Sequence, residues 1–508
     1  MNLLIDPVFQ AVTPTGPERL SLAGLLAGLG DNRIETLPGL QRHQEDVFHI
    51  FLCYLAGAVL SRSGKTNPSQ TADFWRDGLR LLAGRDDDSA WTLIVEDPTR
   101  PAFMQPPAPS REVFDHDYKP KADTPDALDV LQKAKNHEVK ASRAIRADLE
   151  AWPVALIVFQ TSSGFLGRDN YGIARMNGGS GSRICVRWQS DPGPADRFHR
   201  ETSILVQQRP NLLNEPYPYL DGGKTLLWLE PWDGSASLPL SGLDPFFIEV
   251  CRRVRLVRRE DSVSALGATS SVPRLASTEL KGNVGDPWTP IDEEESKALT
   301  VPKRGFTPKL LRDLIFRSKY SFTPMQLPKP EDHSGWFCAS VLVRGKGTTD
   351  GFHEAAIRVP ERARPFLFGQ SRERDRLAEL SQTGLDTAAA VQNKVLRPAL
   401  YALMEGGPEQ IDFGKREVSD MVTSMAAPFT QGWRPRYFDW LWTTLDQPDE
   451  IQAVKPWFED LRRLAEKTFE KAVQNSPIRR GRGYRSVVRA GGVFYGGLKK
   501  QFPQFLEE

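Results

Sequence analysis

Past about residue 365, apolar side chains recur with a helical period, and this pattern constrains the fold more than any other feature of the sequence. One face of a first long helix carries small or apolar residues spaced three or four apart: Leu377, Leu380, Gly384, Ala388, Val391, Val395 and Ala399. Gly406-Gly407 ends this helix, and Pro398 predicts a kink in it. The stretch Ile451–Phe469 repeats the pattern in a second long helix. With further helical stretches near 417–429 and 436–445 and a tail from Arg485, the sequence predicts a C-terminal four-helix bundle.

The first two thirds of the chain mix helices and strands without the regular alternation of a doubly wound sheet. Apolar periodicity predicts helices at Gln44–Leu60 and Thr71–Leu82. Short runs rich in apolar and β-branched residues predict strands at 3–5, 155–160, 226–229, 247–257 and 340–343. We therefore predict an α+β protein, with a large, irregular mixed α/β domain over residues 1–365 followed by the bundle over residues 366–508.

Composition excludes several classes of protein. A chain of 508 residues exceeds what one hydrophobic core normally holds, which favours two or more folding units. The net charge of +1 excludes a uniformly basic nucleic-acid-coating protein, although it permits local basic surfaces. The four cysteines, Cys53, Cys185, Cys251 and Cys338, are scattered singly, so neither a disulfide framework nor a zinc ribbon is expected. We predict no metal and no cofactor.

The sequence also predicts a cytoplasmic protein with no membrane partner. The apolar stretch after Met1 lacks a preceding basic region and is interrupted by Asp6, so it is not typical of a signal peptide. The longest apolar run, Val47–Leu60, is too short to cross a bilayer and is typical of a buried helix. Unpaired cysteines fit a reducing compartment.

No motif gives a positive reason to expect an enzyme. The stretch 63–66, Ser-Gly-Lys-Thr, ends like a phosphate-binding loop, but Val59 stands where that motif needs glycine, which favours a helix-terminating turn. His353-Glu354 lacks the second histidine of a zinc-hydrolase helix, because Ile357 occupies its position. The Asp115–Asp117 stretch, Asp-His-Asp, offers cation ligands but fits a solvated loop better.

Three glycine-rich segments are more informative. The first, 164–179, is dense in Gly, Asn and Arg; glycine lets a backbone approach a ligand, while Asn and Arg donate to phosphates or base edges. The second, 344–354, follows a predicted strand and can form a projecting hairpin tip. The third places Lys281 beside a turn that leads to Trp288. Each segment also has a purely structural alternative: a double turn for the first, an ordinary flexible hairpin for the second and a solvated lysine for the third.

Basic residues are concentrated in three clusters. One comprises Lys133, Lys135, Lys140, Arg143 and Arg146; the second Arg252, Arg253, Arg255, Arg258 and Arg259; the third Arg479, Arg480, Arg482, Arg485, Arg489, Lys499 and Lys500, in a stretch without acidic residues. A solvated face explains any single cluster. Three clusters in a neutral protein favour a track that binds phosphates.

The order of these segments resembles the CasA family, the large subunit of the type I-E CRISPR surveillance complex, Cascade. The resemblance rests on the start Met1–Asp6, the stretch Pro101–Gln105, the glycine-rich segment ending at Gly178-Gly179, the Gly345–Glu354 hairpin and the helical C-terminus. It spans nearly the whole chain. The family resemblance implies a non-catalytic subunit that recognises the protospacer-adjacent motif in double-stranded DNA from the minor-groove side and helps open the duplex for guide RNA pairing, which forms an R-loop.

The resemblance also implies binding partners and assigns roles to particular residues. The partners are the guide RNA (crRNA) 5′ handle, target double-stranded DNA, the backbone, small and 5′-handle-binding Cascade subunits, and the helicase-nuclease effector. The family's glycine loop corresponds to Gly164–Gly167, and its lysine finger to Lys281. Its wedge, which is inserted under the first base pair, corresponds to Thr348, Thr349, Asp350 and Gly351. The mobile loop near the 5′ handle corresponds to 136–146, where Asn136, Lys140 and Arg143 are candidate backbone contacts, as are Arg479, Arg480, Arg482 and Arg485.

Two departures and three alternatives accompany this resemblance. Cys251 stands alone where some relatives carry a cysteine-rich zinc site, and the wedge has Thr and Asp instead of an amide-rich tip. The alternatives are a large subunit of another CRISPR subtype, a stand-alone nucleic-acid-binding protein, and a metal-dependent nuclease using Asp115, His116, Asp117 or His353.

Overall fold

Helices and strands intermix up to about residue 359, and helices follow from there to the C-terminus. This computed structural model describes residues 1–508 apart from 86, 130–147, 179–181, 191–192, 261, 345–348, 370, 476–482 and 507–508. The chain divides into one unit of Met1–Phe306 with Lys319–Ala356, and a second of Thr307–Ser318 with Ile357–Glu508. The predicted domain boundary at 365–366 stays a prediction.

The α-helices of the described residues are α1 (Leu22–Gly30), α2 (Arg42–Arg62), α3 (Ala72–Ala83), α4 (Arg111–Asp117), α5 (Pro125–Leu128), α6 (Trp152–Thr161), α7 (Pro194–Leu212), α8 (Pro308–Ile315), α9 (Arg364–Phe368), α10 (Ser371–Ala390), α11 (Arg397–Glu405), α12 (Arg416–Trp433), α13 (Tyr437–Thr443), α14 (Glu450–Gln474), α15 (Gly483–Gln501) and α16 (Pro503–Leu506). A π-helical segment, Val391–Leu396, joins α10 to α11.

The strands are β1 (Phe9–Thr13), β2 (Gly16–Leu20), β3 (Lys119–Ala122), β4 (Cys185–Gln189), β5 (Lys224–Leu226), β6 (Leu243–Ile248), β7 (Arg253–Arg259), β8 (Ser262–Ala268), β9 (Ile291–Asp292), β10 (Lys297–Ala298), β11 (Tyr320–Ser321), β12 (Gly335–Arg344) and β13 (Thr349–Val359). They form small sheets in the orders β1-β2, β10-β9-β11, β13-β12-β4, β3-β8-β7 and β5-β6. The mixed α+β class and the helical C-terminal region are confirmed.

Helix α2 lies at the centre of the first unit's core. Its residues from Phe48 to Leu60 are all buried, and it contacts α3, α6, α7 and β6. The helix ends where sequence predicted a turn, because Ser63 is its C-cap and Gly64 has a φ of +64°. Lys65 donates to Gln70 and lies over the Phe74 ring. These contacts give Lys65 a structural role and not that of a phosphate ligand.

The second unit contains the predicted bundle. The helix formed by α10, the π segment and α11 packs with α12, α14 and α15. Gly384 lies where a Cβ would come within 2.3 Å of the Trp440 ring, and Trp457 Nε1 donates to its carbonyl at 2.9 Å. The π-helical turns precede Pro398, whose ring cannot follow a regular helical turn because it lacks an N–H and clashes with the carbonyl four residues earlier. Gly406, with a φ of +92°, caps α11 as predicted.

Several predicted elements are confirmed and several are wrong. The helices at 44–60, 71–82, 417–429 and 451–469 and the strand at 340–343 are confirmed. Residues 3–5 form a turn instead of a strand, because the Asn2 and Asp6 side chains accept bonds from the backbone N–H groups of Leu4 and Asn2. Residues 155–160 lie in α6, which is buried on all sides, and a fully apolar run has no periodicity that distinguishes helix from strand.

The two remaining strand predictions are partly wrong. Residues 227–229 form a 3₁₀ turn after the short strand β5. The predicted strand at 247–257 is two strands, β6 and β7, separated by Glu249–Arg252. This break carries two buried ionisable residues, Glu249 and Arg252, and it is central to the candidate site.

Candidate nucleic-acid interface

The first glycine-rich segment begins at the C-terminal end of α6, where Arg252 supplies hydrogen-bond donors. Arg252 Nη1 donates to the Phe159 carbonyl at 2.9 Å, and Nη2 donates to the Gly164 carbonyl at 2.5 Å. The positive guanidinium lies at the negative end of the helix dipole. Only 3% of Arg252 is exposed, and burial lowers its pKa. Arg252 therefore fixes the point from which the glycine segment leaves the core.

A tight turn follows, with Gly167 at its open side. Leu166 N–H donates to the Asn170 carbonyl, and Asn170 N–H donates to the Gly167 carbonyl, both at 3.0 Å. Gly167 has a φ of +108°, which favours glycine, and no atom lies within 4 Å of the position that a Cβ would take. The Arg168 side chain is 95% exposed. The turn thus presents bare backbone and an exposed arginine, whose Nε lies 3.8 Å from Asp169 Oδ2, to the outside of the first unit.

The second half of the same segment is anchored by a buried carboxyl group. Glu249 Oε1 accepts a bond from the Ala174 N–H at 2.6 Å, and Arg175 Nη1 lies 3.8 Å from Oε2. Burial raises the pKa of Glu249 to about 7, although the nearby Arg175 acts in the opposite direction. Arg175 also packs over the Phe247 ring at 3.8 Å. The segment is therefore held at Gly164, Ala174 and Arg175 by residues of the break between β6 and β7.

The turn that carries Lys281 packs directly on this segment. A Cβ at Gly282 would come within 2.6 Å of the Met176 carbonyl carbon and 2.8 Å of the Asn177 nitrogen. Lys281 itself has a φ of +48°, and its carbonyl accepts a bond from the Ala298 N–H at 2.9 Å. Its side chain is exposed. The structure thus brings the first and third glycine-rich segments together in the first unit.

The second glycine-rich segment lies in a hairpin, as the sequence predicts. Strand β13 lies beside β12, and two consecutive strands joined by so short a connection must be antiparallel. The connection, 345–348, includes Thr348 and lies outside the described residues. Thr349, Asp350 and Gly351 already belong to β13, so they form the base of the connection and not its turn. Gly351 has a φ of +131°.

The second predicted basic cluster does not form an exposed track in the described structure. Arg253 donates to Asp117 Oδ2 at 2.7 Å, and Arg255 donates to backbone carbonyls that include Arg100 O at 2.9 Å. With Arg252, these residues are buried, so the prediction of a phosphate track there is wrong for three of its five members. Within this cluster, the two arginines at the end of β7, Arg258 and Arg259, are the members that face solvent.

The first cluster lies outside the described residues, which covers Lys140 and Arg143 together with the neighbouring Asn136. In the third cluster, Arg479, Arg480 and Arg482 lie outside the described residues, whereas Arg489, Lys499 and Lys500 are described and exposed. Arg485 is described, lies in the first turn of α15 and is exposed. The roles predicted for all site residues stay predictions.

The residues of the alternative nuclease hypothesis are engaged in structural contacts or lie apart. Asp117 accepts bonds from both His116, at 2.8 Å, and the buried Arg253. Asp115 pairs with Arg111 on the exposed side of α4. His353 lies on β13, beside Gly305. Among the described residues, these groups do not form a shared metal-binding cluster.

One buried set does place three ligand types together among the described residues: His49, Cys53 and Glu201. His49 Nε2 lies 3.0 Å from Glu201 Oε2 and 3.2 Å from Cys53 Sγ. However, Trp288 Nε1 also donates to Glu201 Oε2 at 2.7 Å, and Arg197 donates to Oε1 at 3.0 Å. The carboxylate is already surrounded by donors, and Arg197 helps to hold its pKa low. This set is a hydrogen-bonded core network.

Sequence reasoning missed the residues that hold the loops. The sequence pattern predicts that Arg252 belongs to a phosphate track, and it does not distinguish Glu249 or Gly282 as anchors. The signal was present in part, because ionisable residues that interrupt an apolar strand pattern indicate a break with specific partners. The partners of Arg252 lie about 90 residues away in the chain, which a single sequence does not reveal.

No helix in the described part of the chain is long and apolar enough to span a membrane. No protein-family model matches the sequence, and a search of curated proteins finds no match.

Solved structures, in contrast, match over the whole length. The fold is similar to that of CasA from Thermus thermophilus, with a TM-score of 0.62 at 13% identity, covering 98% of this chain and 99% of that one. It is also similar to the CRISPR-associated protein Cse1 from Acidimicrobium ferrooxidans, with a TM-score of 0.62 at 14% identity and coverage of 100% and 99%. Cse1 from Thermobifida fusca gives 0.59 at 15%, with the same coverage.

The class defined by this comparison is an α+β protein with a C-terminal helical region. In particular, the chain has the fold of the CRISPR-associated proteins CasA and Cse1, so the resemblance inferred from the sequence is confirmed at the level of fold.

Proposed function

We propose that this chain is the large subunit of a type I-E Cascade complex and recognises the protospacer-adjacent motif in double-stranded DNA. The observation that carries the proposal is the likeness in fold to CasA and Cse1 over 98–100% of the chain. In such a complex, base pairing with the guide RNA reads the long target sequence, while protein reads a short flank and the duplex shape.

The arrangement of the first and third glycine-rich segments supports this role. The backbone at Gly167 is available for close approach to the minor groove, and Lys281 can reach acceptors on the groove floor. Gly164 is buried, and its N–H and carbonyl are bonded to Ser182 and Arg252, so its part in this role is to position the start of the loop. The minor groove presents acceptors at every base pair, so a lysine and bare backbone suit it better than a bulky side chain. The hairpin at 344–354, with Thr348, Thr349, Asp350 and Gly351, then acts as the wedge that separates the first base pair.

The remaining parts of the proposal concern partners. The chain contacts the guide RNA 5′ handle through Asn136, Lys140 and Arg143, and nucleic-acid phosphates through Arg479, Arg480, Arg482 and Arg485. It assembles with the backbone, small and 5′-handle-binding subunits and provides the docking surface for the helicase-nuclease effector. It acts without a catalytic site of its own, in the cytoplasm, in antiviral defence.

The test is reconstitution of the complex with guide RNA, followed by binding to targets that carry a randomised flank. We expect motif-dependent duplex opening that vanishes without this chain. Lys281→Ala and Gly167→Asp should weaken binding to targets with the selected motif far more than they weaken assembly. Equal loss of both properties would make these residues structural, and failure of the folded chain to join any ribonucleoprotein would contradict the proposal.

Two other classes of function remain as alternatives. A large subunit of another CRISPR subtype, or a stand-alone nucleic-acid-binding protein, is distinguished by the neighbouring genes and by what co-purifies with the chain. A metal-dependent nuclease would cleave DNA as the purified chain, and it would lose that activity on His353→Ala or on substitution of Asp115, His116 or Asp117.

A further inference from the structure

Helix α15 has one face inside the bundle and one face without a partner in the described structure. Ser486, Ala490, Phe494 and Leu498 are buried, and the helix packs against α11 and the π segment. Phe494 stacks on Phe469 with ring centroids 5.0 Å apart. These contacts fix the rotation of the helix, so the composition of its opposite face needs its own explanation.

Large apolar and aromatic side chains occupy that opposite face. Tyr484 is 78% exposed, Val488 is 56% exposed and Tyr495 is 53% exposed. Tyr484 and Tyr495 are eleven positions apart, which places them on nearly the same line of the helix, about 16 Å from each other. Tyr495 packs edge-on against Phe494, which orients its ring. The two exposed tyrosine rings therefore lie on the same side of the helix, and they are called the aromatic platforms below.

Only cations accompany these platforms. The helix contains Arg485, Arg489, Lys499 and Lys500 and no acidic residue. Arg489 pairs with Glu409 at 3.3 Å. The other three have no carboxylate within ion-pair distance among the described residues. The face therefore combines exposed rings with uncompensated positive charge, which is complementary to nucleic acid.

Three glycines in the middle of the helix have no role in packing the bundle. No atom lies within 4 Å of the Cβ position at Gly491, Gly492 or Gly496. Glycine inside a helix is less stable than alanine, and none of these residues needs a positive φ. What the glycines provide is a shallow notch between the two tyrosines, where a ligand backbone can approach the helix closely.

We propose that this face of α15 binds single-stranded DNA, with bases stacked on Tyr484 and Tyr495 and phosphates beside Arg485, Lys499 and Lys500. The proposal rests on the function proposed above, in which duplex opening releases a single strand. Single-stranded DNA fits better than duplex because the bases of a duplex are already stacked on one another and cannot cover an exposed ring. The rings accept any base, so the binding is independent of sequence.

The first test measures binding of the full chain to a short fluorescein-labelled oligothymidine by fluorescence anisotropy. Tyr484→Ala and Tyr495→Ala should each weaken binding at least about fivefold, since stacking of one base contributes about 1–3 kcal/mol. Lys499→Ala should lower the salt slope by about 0.7, the value for one phosphate contact on a single strand. Lys467→Ala is the matched control, because Lys467 is an exposed cation on α14; it should leave binding unchanged.

The glycines allow a second test in which stability and binding change in opposite directions. Gly492→Ala should raise the melting temperature by about 2–4 °C, because alanine favours the helix and its methyl group meets no atom. The same substitution should weaken oligothymidine binding severalfold, since the methyl group fills the notch. A stabilised variant with unchanged binding would overturn the role of the notch.

The outcomes separate this inference from the function on which it rests. Motif-dependent duplex binding together with unaltered oligothymidine binding by the tyrosine variants would overturn the inference and leave the proposed function standing. Photocrosslinking of iodouridine-substituted oligonucleotide to Tyr484 or Tyr495 would support the inference even if no motif dependence were found. Loss of subunit co-purification by the tyrosine variants, with no loss of oligothymidine binding, would mean that the face binds protein, and this too would overturn it.

Discussion

Replacing Arg252 with methionine should test how the first glycine-rich segment is held. Methionine keeps most of the apolar length of the side chain but removes its donors. The carbonyls of Phe159 and Gly164 would then lose donors now at 2.9 and 2.5 Å. An orphaned buried polar group costs about 1–3 kcal/mol, so two cost about 2–6 kcal/mol.

Part of this cost is offset, because a buried guanidinium also loses its hydration, as the lowered pKa of Arg252 indicates. We therefore expect Arg252→Met to reduce the free energy of unfolding by about 3 kcal/mol. We also expect the amides of residues 163–172 to lose protection from hydrogen exchange. Urea unfolding and native-state exchange measure the two effects. The matched control is Arg258→Met, an exposed arginine on the adjoining strand β7, which should change stability by less than about 0.5 kcal/mol.

The reasoning would be refuted by an Arg252→Met variant that matches the Arg258→Met control in both measurements. That result would mean that other donors satisfy the two carbonyls. A loss of stability without any change in exchange at residues 163–172 would retain the helix-capping role but remove the link to the glycine segment. If Arg252→Met lowers both the stability and the exchange protection of residues 163–172, the proposed function also predicts weaker motif-dependent DNA binding, because Gly167 would no longer be held in place.

Three further predictions follow from neighbouring contacts. Because burial raises the pKa of Glu249 to about 7, the native state holds the Glu249 proton more tightly than the unfolded state between pH 4.5 and 7. The free energy of unfolding should therefore fall by about 3 kcal/mol as pH rises through this window. Glu249→Gln should flatten this pH dependence in urea unfolding measured at several pH values. Gly282→Ala should destabilise more than Gly167→Ala, because only the former meets backbone atoms within 3 Å. Gly384→Ala should cost about 1–3 kcal/mol in thermal unfolding by displacing the Trp440 ring.

The bundle could be predicted from sequence because its helices are amphipathic and local. The run from Leu377 to Ala399 places its apolar residues on one face, and the capping glycine Gly406 marks its end. Each of these signals lies within a few residues of the structure that it specifies. Even Gly384, which contributes no apolar side chain, keeps the helical period because the Trp440 ring fills the space beside it.

The α/β unit could be predicted in its class but not in its details. Helix α6 is buried on every side, so its sequence carries no period. The loops of the candidate site were identified by their glycines, which report local backbone freedom. Their anchors, Arg252 and Glu249, act across about 75 to 90 residues of sequence, and such contacts leave no local pattern.

The same contrast explains why counting basic residues is a poor guide to where nucleic acid binds. Arg252, Arg253 and Arg255 form a dense basic stretch in sequence, yet they are buried donors that hold other segments in place. Arg485, Lys499 and Lys500 are more dispersed in sequence, but they lie on an exposed helix face without compensating acids. Substituting the buried set should therefore reduce stability first and binding only as a consequence. Substituting the exposed set should reduce binding and its salt dependence while leaving unfolding unchanged.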